Sequence, residues 1–339
     1  MINVTLYSRA DCHLCEVALQ DLNSLQADIP HRIVVIDVDS SPDLRRAYGF
    51  EIPVVEVGPY KLRAPFDEQE LRITLMAAQD RKNQLDTIGD PAYLDQVKRG
   101  QAWTKSDGIA YWLSNHYLAL FNLFVLFYLA MPFLAPTFMK VGFETPARII
   151  YKVYSGMCHQ WAFRSFFLFG EQAVYPREAA QVNGLLTFSQ ATGLGESSTA
   201  QDLIAAREFV GNEVVGYKIA LCERDITIWA GLLLFGLVFG LTGRRLPSLP
   251  WYLWILIGII PIGLDGVSQL LSQPPFSFYA FRESTPFLRS LTGALFGFTT
   301  AWFGYPMTEE AMAETRRIMA SKRLRLGEHL LPKKMTPGS

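Results

Sequence analysis

Ile2-Asn3-Val4-Thr5-Leu6-Tyr7-Ser8-Arg9-Ala10-Asp11-Cys12-His13-Leu14-Cys15 decides how the first quarter of the chain is read. Ile2 to Tyr7 is a short apolar run with the character of a strand, and the C-x-x-C sequence that follows opens a helical stretch. Two thiols at that spacing share one helical turn. The unpaired N–H groups and the dipole of a helix start favour a thiolate at Cys12 over a thiol. Cys12 is therefore the expected nucleophile, and Cys15 is placed to attack a mixed disulfide on Cys12 and release the substrate. Two other readings fit the pair alone: half of a zinc site, or two inert buried thiols. Zinc needs further ligands, and no second C-x-x-C occurs in the chain.

Outward from this stretch, Leu14, Ala18, Leu22 and Leu25 recur at helical spacing, and residues 32–38 form a second buried strand, so a βαβ unit is expected. Ser41-Pro42-Asp43 starts a second helix, residues 52–57 give a third strand, Gly58-Pro59 turns, and a fourth strand runs through Leu62. Asp67 with Glu70 makes a capping box for a helix whose Leu71, Leu75 and Ala78 share one face and should cover the sheet. Strand, C-x-x-C, helix, strand, helix and Ile52-Pro53-Val54 together resemble the glutaredoxin-like branch of the thioredoxin fold, over residues 1–85. The resemblance implies a thiol–disulfide activity and a cis Pro53 lying against the dithiol. Read alone, Pro53 could equally be an edge-strand stop. Glutathione is an implied cosubstrate, with Asp67 as the candidate contact.

The rest of the chain has a different composition. Half of the 339 residues are hydrophobic and 19% charged, with 23 Phe and 7 Trp, which is too apolar for two water-soluble domains. The net charge of −1 leaves no basic footprint for nucleic acid. The N-terminus lacks a basic segment followed by an apolar one, so residues 1–85 are expected in the cytosol, where dithiols stay largely reduced. Residues 86–112, with Gly89, Asp90, Pro91, Gly100 and scattered basic side chains, read as a linker and interfacial segment, followed by a membrane domain over 113–308. Four runs are candidates to cross ~30 Å of hydrocarbon: Tyr117–Met139, Ile226–Gly243, Trp251–Leu271 and Leu288–Tyr305. Trp251, Trp254 and Trp302 suit interface anchors, and Gly293 with Gly297 suits close helix packing. Arg244 and Arg245, and Arg316, Arg317, Lys322, Arg323 and Arg325 in a basic tail over 309–339, belong in the cytoplasm with the dithiol domain. Ile149 to Phe169 carries Lys152, His159 and Arg164 and reads as interfacial or re-entrant. The expected architecture is an α/β thioredoxin-like domain followed by an all-α transmembrane domain of about four spans, multi-pass in the cell membrane.

Polar groups gather where the spans should meet the outer side: Cys158, His159, Gln160 and Arg164; Cys222, Arg224 and Asp225; Asp265 and Gln269; Arg282, Glu283 and Arg289. Asp265 is expected to pair with Arg282 or Arg289 close to the two cysteines, because an unpaired charge at that depth is costly. The blocks Cys-His-Gln, Cys-Glu-Arg-Asp, Asp-Gly-x-x-Gln and Arg-Glu-Ser-Thr resemble an uncharacterised prokaryotic multi-pass membrane family, over roughly residues 115–306, and that resemblance implies no activity. Three readings of Cys158 and Cys222 stay open: a disulfide or polar seam that holds an outer segment, redox exchange through a mobile thiol or a quinone, and a zinc-like metal held by Cys158, His159, Cys222 and Asp225. His13, His31 and His116 show no partners, beyond His13 tuning the dithiol. The sequence therefore points to membrane-associated thiol–disulfide chemistry on an unidentified thiol or disulfide, with a metal-binding or small-solute transport protein, redox-regulated by its soluble domain, as the alternative.

Overall fold

The computed structural model describes residues 1–273 and 275–327. It divides into two compact units, Met1–His116 with the chain from Glu310 onward, and Tyr117–Glu309.

The first unit is built on a four-stranded sheet in the order β2-β1-β3-β4, made of β1 (Ile2–Ser8), β2 (His31–Asp37), β3 (Val54–Val57) and β4 (Tyr60–Arg63). β1 and β2 are parallel, joined through α1 (His13–Ser24), whereas β3 pairs antiparallel with both β1 and β4. Ile2, Val4 and Leu6 turn to one face and pack with Ala18, Leu22 and Leu25 of α1 and with Leu71, Leu75 and Ala78 of α3 (Glu68–Ile88). Asp67 and Glu70 close a reciprocal capping box at the start of α3. Asp67, the candidate glutathione contact, is therefore engaged as a helix cap.

The opposite face buries Tyr7, Ile36 and Val54 with Val38, and with Leu44 and Tyr48 of α2 (Pro42–Tyr48). Ala320 and Leu324 complete this core, and they belong to the last turns of α12 (Pro286–Arg325). The expected basic tail is thus helix as far as Arg325, while residues 328–339 lie outside the described residues. Arg316 donates to Asp43 at 3.0 Å and to the Ser114 carbonyl at 2.7 Å, and Lys322 donates to Asp107 at 2.6 Å. The reason is periodicity: Arg316, Ala320 and Leu324, four apart, share a helix face, so these basic stems lie along a packed surface instead of extending freely into water. Residues 86–112, expected as a linker, are also largely helical. Gly89 ends α3 in a left-handed conformation, α4 (Pro91–Gly100) follows an Asp90 cap, and α5 (Lys105–Lys140) begins soon after.

The second unit is mostly helical. Among the described residues, three helical stretches are long and apolar enough to cross a membrane: α5, α9 (Glu223–Leu241) and Trp251–Ser272, the last formed by α10 (Trp251–Leu253), a π-helical stretch (Trp254–Ile259) and α11 (Ile260–Ser272). The fourth expected span lies within α12, which is long enough but falls outside this apolar set among the described residues. Arg289, Thr292 and Thr299 are buried in it, so its polar residues turn to the protein interior. The helix-packing role of the glycine pair is direct. A Cβ on Gly293 would meet the Arg224 carbonyl at 2.7 Å, and one on Gly297 would overlap the Ile228 carbonyl, so α12 and α9 touch backbone to backbone there.

The segment between α5 and α9 departs from an all-helical expectation. Ile149 to Phe169 is not one helix: α6 (Glu144–Tyr154) ends, a 3₁₀ turn covers Ala162–Arg164, and Ser165–Leu168 forms β5. β5 pairs with β7 (Gly216–Cys222), which also pairs with the two-residue β6 (Gly211–Asn212), giving a small antiparallel sheet. Two short helices, α7 (Phe188–Thr192) and α8 (Ala200–Glu208), lie between β5 and β6 in the chain. Length and apolarity alone do not separate this buried strand from a membrane helix.

Candidate functional site

In the first unit, Cys12 is the N-cap of α1 and Cys15 lies one turn on. The Cys12 sulfur accepts the Cys15 backbone N–H at 3.3 Å, the contact by which a helix start stabilises a thiolate. The two are joined as a disulfide with Cα atoms 5.2 Å apart. Their environments differ. Cys15 is 3% exposed, while Cys12 is half-buried at the surface. The Ile52–Pro53 peptide is cis. Pro53, Ala64, Pro65 and Phe66 share with Leu14, from the C-x-x-C itself, and Val17 a shallow groove of about 80 Å³. Leu14 and Val17 are exposed there, so an apolar strip adjoins the dithiol.

In the second unit, the predicted charges form two adjoining networks. Glu283, 1% exposed in its side chain, accepts a fork from Arg164 at 2.7 and 2.9 Å, an N–H from Arg177 at 3.2 Å, and another from Arg289. Arg289 also reaches Glu223 at 3.3 Å. Burial alone pushes the Glu283 carboxyl up, but Arg164, Arg289 and Arg177 together hold it below its ordinary range. Asp265 accepts from Arg282 at 3.0 Å, from Ser284 at 2.9 Å, from Gln269 at 3.3 Å and from Arg224. Of the two arginines expected for Asp265, Arg282 is its partner. Arg289 instead serves the glutamates because α12 aims it at Glu223 and Glu283. Buried charges are tolerated only when paired.

Cys158 and Cys222 are brought together as a disulfide with Cα atoms 6.7 Å apart. Cys158 follows α6, and its sulfur accepts the Cys222 backbone N–H at 3.3 Å, while Cys222 caps α9. One ligand atom from each of Cys158, Cys222 and Asp225 lies within 4.8 Å of the others. His159 is outside that group: it is exposed, with its ring 4.8 Å from that of Trp161. Gln160 is a clamp, its amide donating to the Tyr151 carbonyl at 2.9 Å and the Ala220 carbonyl at 2.8 Å.

Comparison with known proteins agrees with this division. Residues 3–78 match the family model described as Glutaredoxin-like domain (DUF836), and residues 204–303 match that described as Predicted membrane protein (DUF2085). The chain joins a glutaredoxin-like domain to a DUF2085 membrane domain. The uncharacterised protein MJ1492 of Methanocaldococcus jannaschii is 27% identical over 205 residues, which cover 58% of this chain and 94% of that protein. The X-ray structure of Northeast Structural Genomics target protein XcR50 from X. campestris is 36% identical and covers 22% of this chain and 96% of its own, at a TM-score of 0.20.

Several residues of the second unit are not singled out by the sequence. Arg177 and Glu223 complete the network around Glu283, and Lys218 is 1% exposed, donating to the Gln160 carbonyl at 2.7 Å and the Arg207 carbonyl at 2.6 Å. Burial, with the nearby Arg207, lowers the Lys218 ammonium to a pKa of about 7. The available signal was a lone lysine inside the apolar run Tyr217-Lys218-Ile219-Ala220-Leu221. For Arg177 no signal existed, because its partner is 106 residues away.

Proposed function

We propose that this protein is a membrane-tethered thiol–disulfide oxidoreductase in which Cys12 is the nucleophile and Cys15 the resolving thiol. The observation that carries the reading is the asymmetry of the pair: a half-buried Cys12 at a helix N-terminus, its sulfur accepting a backbone N–H, and a Cys15 that is 3% exposed. In the reduced protein, the Cys12 thiolate attacks a substrate disulfide, and one substrate sulfur leaves as a thiolate. Cys15, after losing its proton, attacks the Cys12 sulfur, releases the second substrate thiolate and closes the Cys12–Cys15 disulfide. Two electrons have then passed to the substrate. Two equivalents of a small thiol, glutathione by the family resemblance, return the pair to the dithiol. The exposed Leu14 and Val17 and the cis Pro53 give the attacked chain an apolar wall to lie against.

In this reading the protein is multi-pass, with the dithiol domain on the cytoplasmic side together with Arg244 and Arg245. The anchoring concentrates the dithiol at the bilayer, which favours substrates that are themselves membrane proteins or membrane-bound. Glutathione-dependent reduction of hydroxyethyl disulfide by the full chain in detergent tests the reading. Wild-type protein is expected to turn over, and Cys12→Ser to be inactive. Undiminished turnover by Cys12→Ser would overturn it.

A further inference from the structure

The neighbourhood of Cys158 and Cys222 holds one group that packing does not explain. Glu223 is taken up by Arg289, and Arg224 and Arg282 by Asp265. Asp225, in the first turn of α9, is left half-buried with no hydrogen bond or ion pair among the described residues. A carboxylate at the mouth of an apolar helix, near Arg224 and His159 but hydrogen-bonded to neither, is unfavourable unless a cation completes it. What faces it is a pair of sulfurs. They belong to Cys222, three residues earlier on the same helix, and Cys158, fixed by the Tyr154 carbonyl that accepts its N–H at 3.0 Å.

We propose that the reduced Cys158–Cys222 pair and Asp225 form a binding site for a thiophilic divalent cation of the zinc type, and that oxidation of the pair expels the cation. The three ligand atoms lie within 4.8 Å of one another, wider than the ~3.5–3.8 Å edges of a tetrahedron with ~2.3 Å sulfur and ~2.0–2.2 Å oxygen bonds, so the site closes on an ion by a rotation of the Asp225 side chain once the S–S bond is opened. Two thiolates and one carboxylate suit a borderline-soft metal and disfavour magnesium and calcium, which take all-oxygen shells. His159, next to Cys158 and near enough to Asp225 to interact electrostatically, is the natural fourth ligand after rotation off Trp161, and water serves otherwise. A small-molecule disulfide accepts two electrons and becomes two thiolates, the two cysteine thiolates become one S–S bond, and the cation leaves because both sulfur ligands are consumed. This site is independent of the Cys12–Cys15 reading, since it lies wholly within the second unit.

The test uses the full chain in detergent with Cys12→Ser and Cys15→Ser, so that the other dithiol cannot bind metal, reduced by a phosphine and titrated with Co2+ as a spectroscopic stand-in for Zn2+. One Co2+ per chain with thiolate-to-cobalt charge-transfer absorption is expected, displaced by Zn2+. Asp225→Asn should weaken Co2+ binding by at least about tenfold, and oxidised protein should show no such band. Absence of the band in folded protein whose Cys158 and Cys222 are shown to be free thiols would overturn the proposal, as would unchanged affinity in Asp225→Asn. Should the cysteine variants fail to fold, protection of Cys158 and Cys222 against alkylation by Cd2+, mapped by peptide mass spectrometry in the reduced wild type, decides the same question. Protection supports the site, and full alkylation overturns it.

Discussion

Replacing Glu283 by glutamine should be among the most damaging single changes in the membrane domain. The carboxylate, 1% exposed, balances Arg164, Arg177 and Arg289, whose side chains are 20%, 2% and 3% exposed. Arg289 keeps Glu223 and Arg164 keeps some solvent. Arg177 keeps one hydrogen bond, to the Ser197 carbonyl at 3.1 Å, and the Phe163 ring 3.8 Å from its guanidinium, while its Nε has no partner among the described residues. The amide introduced by Glu283→Gln would also direct an N–H toward a guanidinium. Removing one partner of a buried pair costs roughly 3–5 kcal/mol. For a unit of this size about 2–4 °C is lost per kcal/mol, so Tm in detergent should fall by roughly 6–20 °C. Adding Arg177→Met should return part of the loss, because it removes the stranded charge. The carboxyl pKa is depressed, so this stabilisation is present above the ordinary value of 4.5 and fades only as pH falls well below it. A loss under about 1 kcal/mol, or an Arg177→Met effect that merely adds to the first, would refute the assignment of Arg177 as the dependent partner.

Lys218, with its pKa lowered from 10.5 to about 7, binds fewer protons folded than unfolded between those values. Stability should therefore rise with pH from about 7 by up to ~1.4 kcal/mol per unit. Lys218→Met should flatten that slope in thermal melts at pH 7 and 9, and an unchanged slope would assign it to another group. Ala320, 2% exposed against Tyr7 and Val54, should not tolerate a charge. Ala320→Asp is expected to cost roughly 3 kcal/mol and to open the glutaredoxin-like domain to limited proteolysis, and unaltered resistance would show that the helix end is dispensable to that core. For orientation, Arg245→Cys should resist and Ser277→Cys should accept an impermeant maleimide added to intact cells, and the reverse pattern would invert the topology.

The soluble fold was legible because its elements are short, regular and punctuated. Ser41-Pro42, Gly58-Pro59 and the Asp67/Glu70 box each mark a boundary by local backbone chemistry, and the apolar spacing of Leu14 to Leu25 and Leu71 to Ala78 fixes one face of the sheet. The other face was not legible, since it is completed by Ala320 and Leu324, which are far away in sequence and embedded among basic residues that read as a solvated tail. In the membrane half, charge pairing was predictable as a class but not residue by residue. Asp265 had to find an arginine, yet whether Arg224, Arg282 or Arg289 reaches it depends on helix rotation, which sequence spacing alone does not set. β5 and β7 were hidden by the same apolarity that marks the spans.

Trapping of mixed disulfides in native membranes separates the roles of Cys12 and Cys15. After a brief diamide pulse and quenching of free thiols, full-length Cys15→Ser should carry a small thiol or protein partner on Cys12, released by reductant, because the resolving sulfur is gone. Cys12→Ser should carry none on Cys15, which is 3% exposed. Adducts of equal yield on both variants, or none on Cys15→Ser while its Cys12 is shown to be alkylatable, would contradict the assignment of Cys12 as nucleophile and Cys15 as resolving thiol.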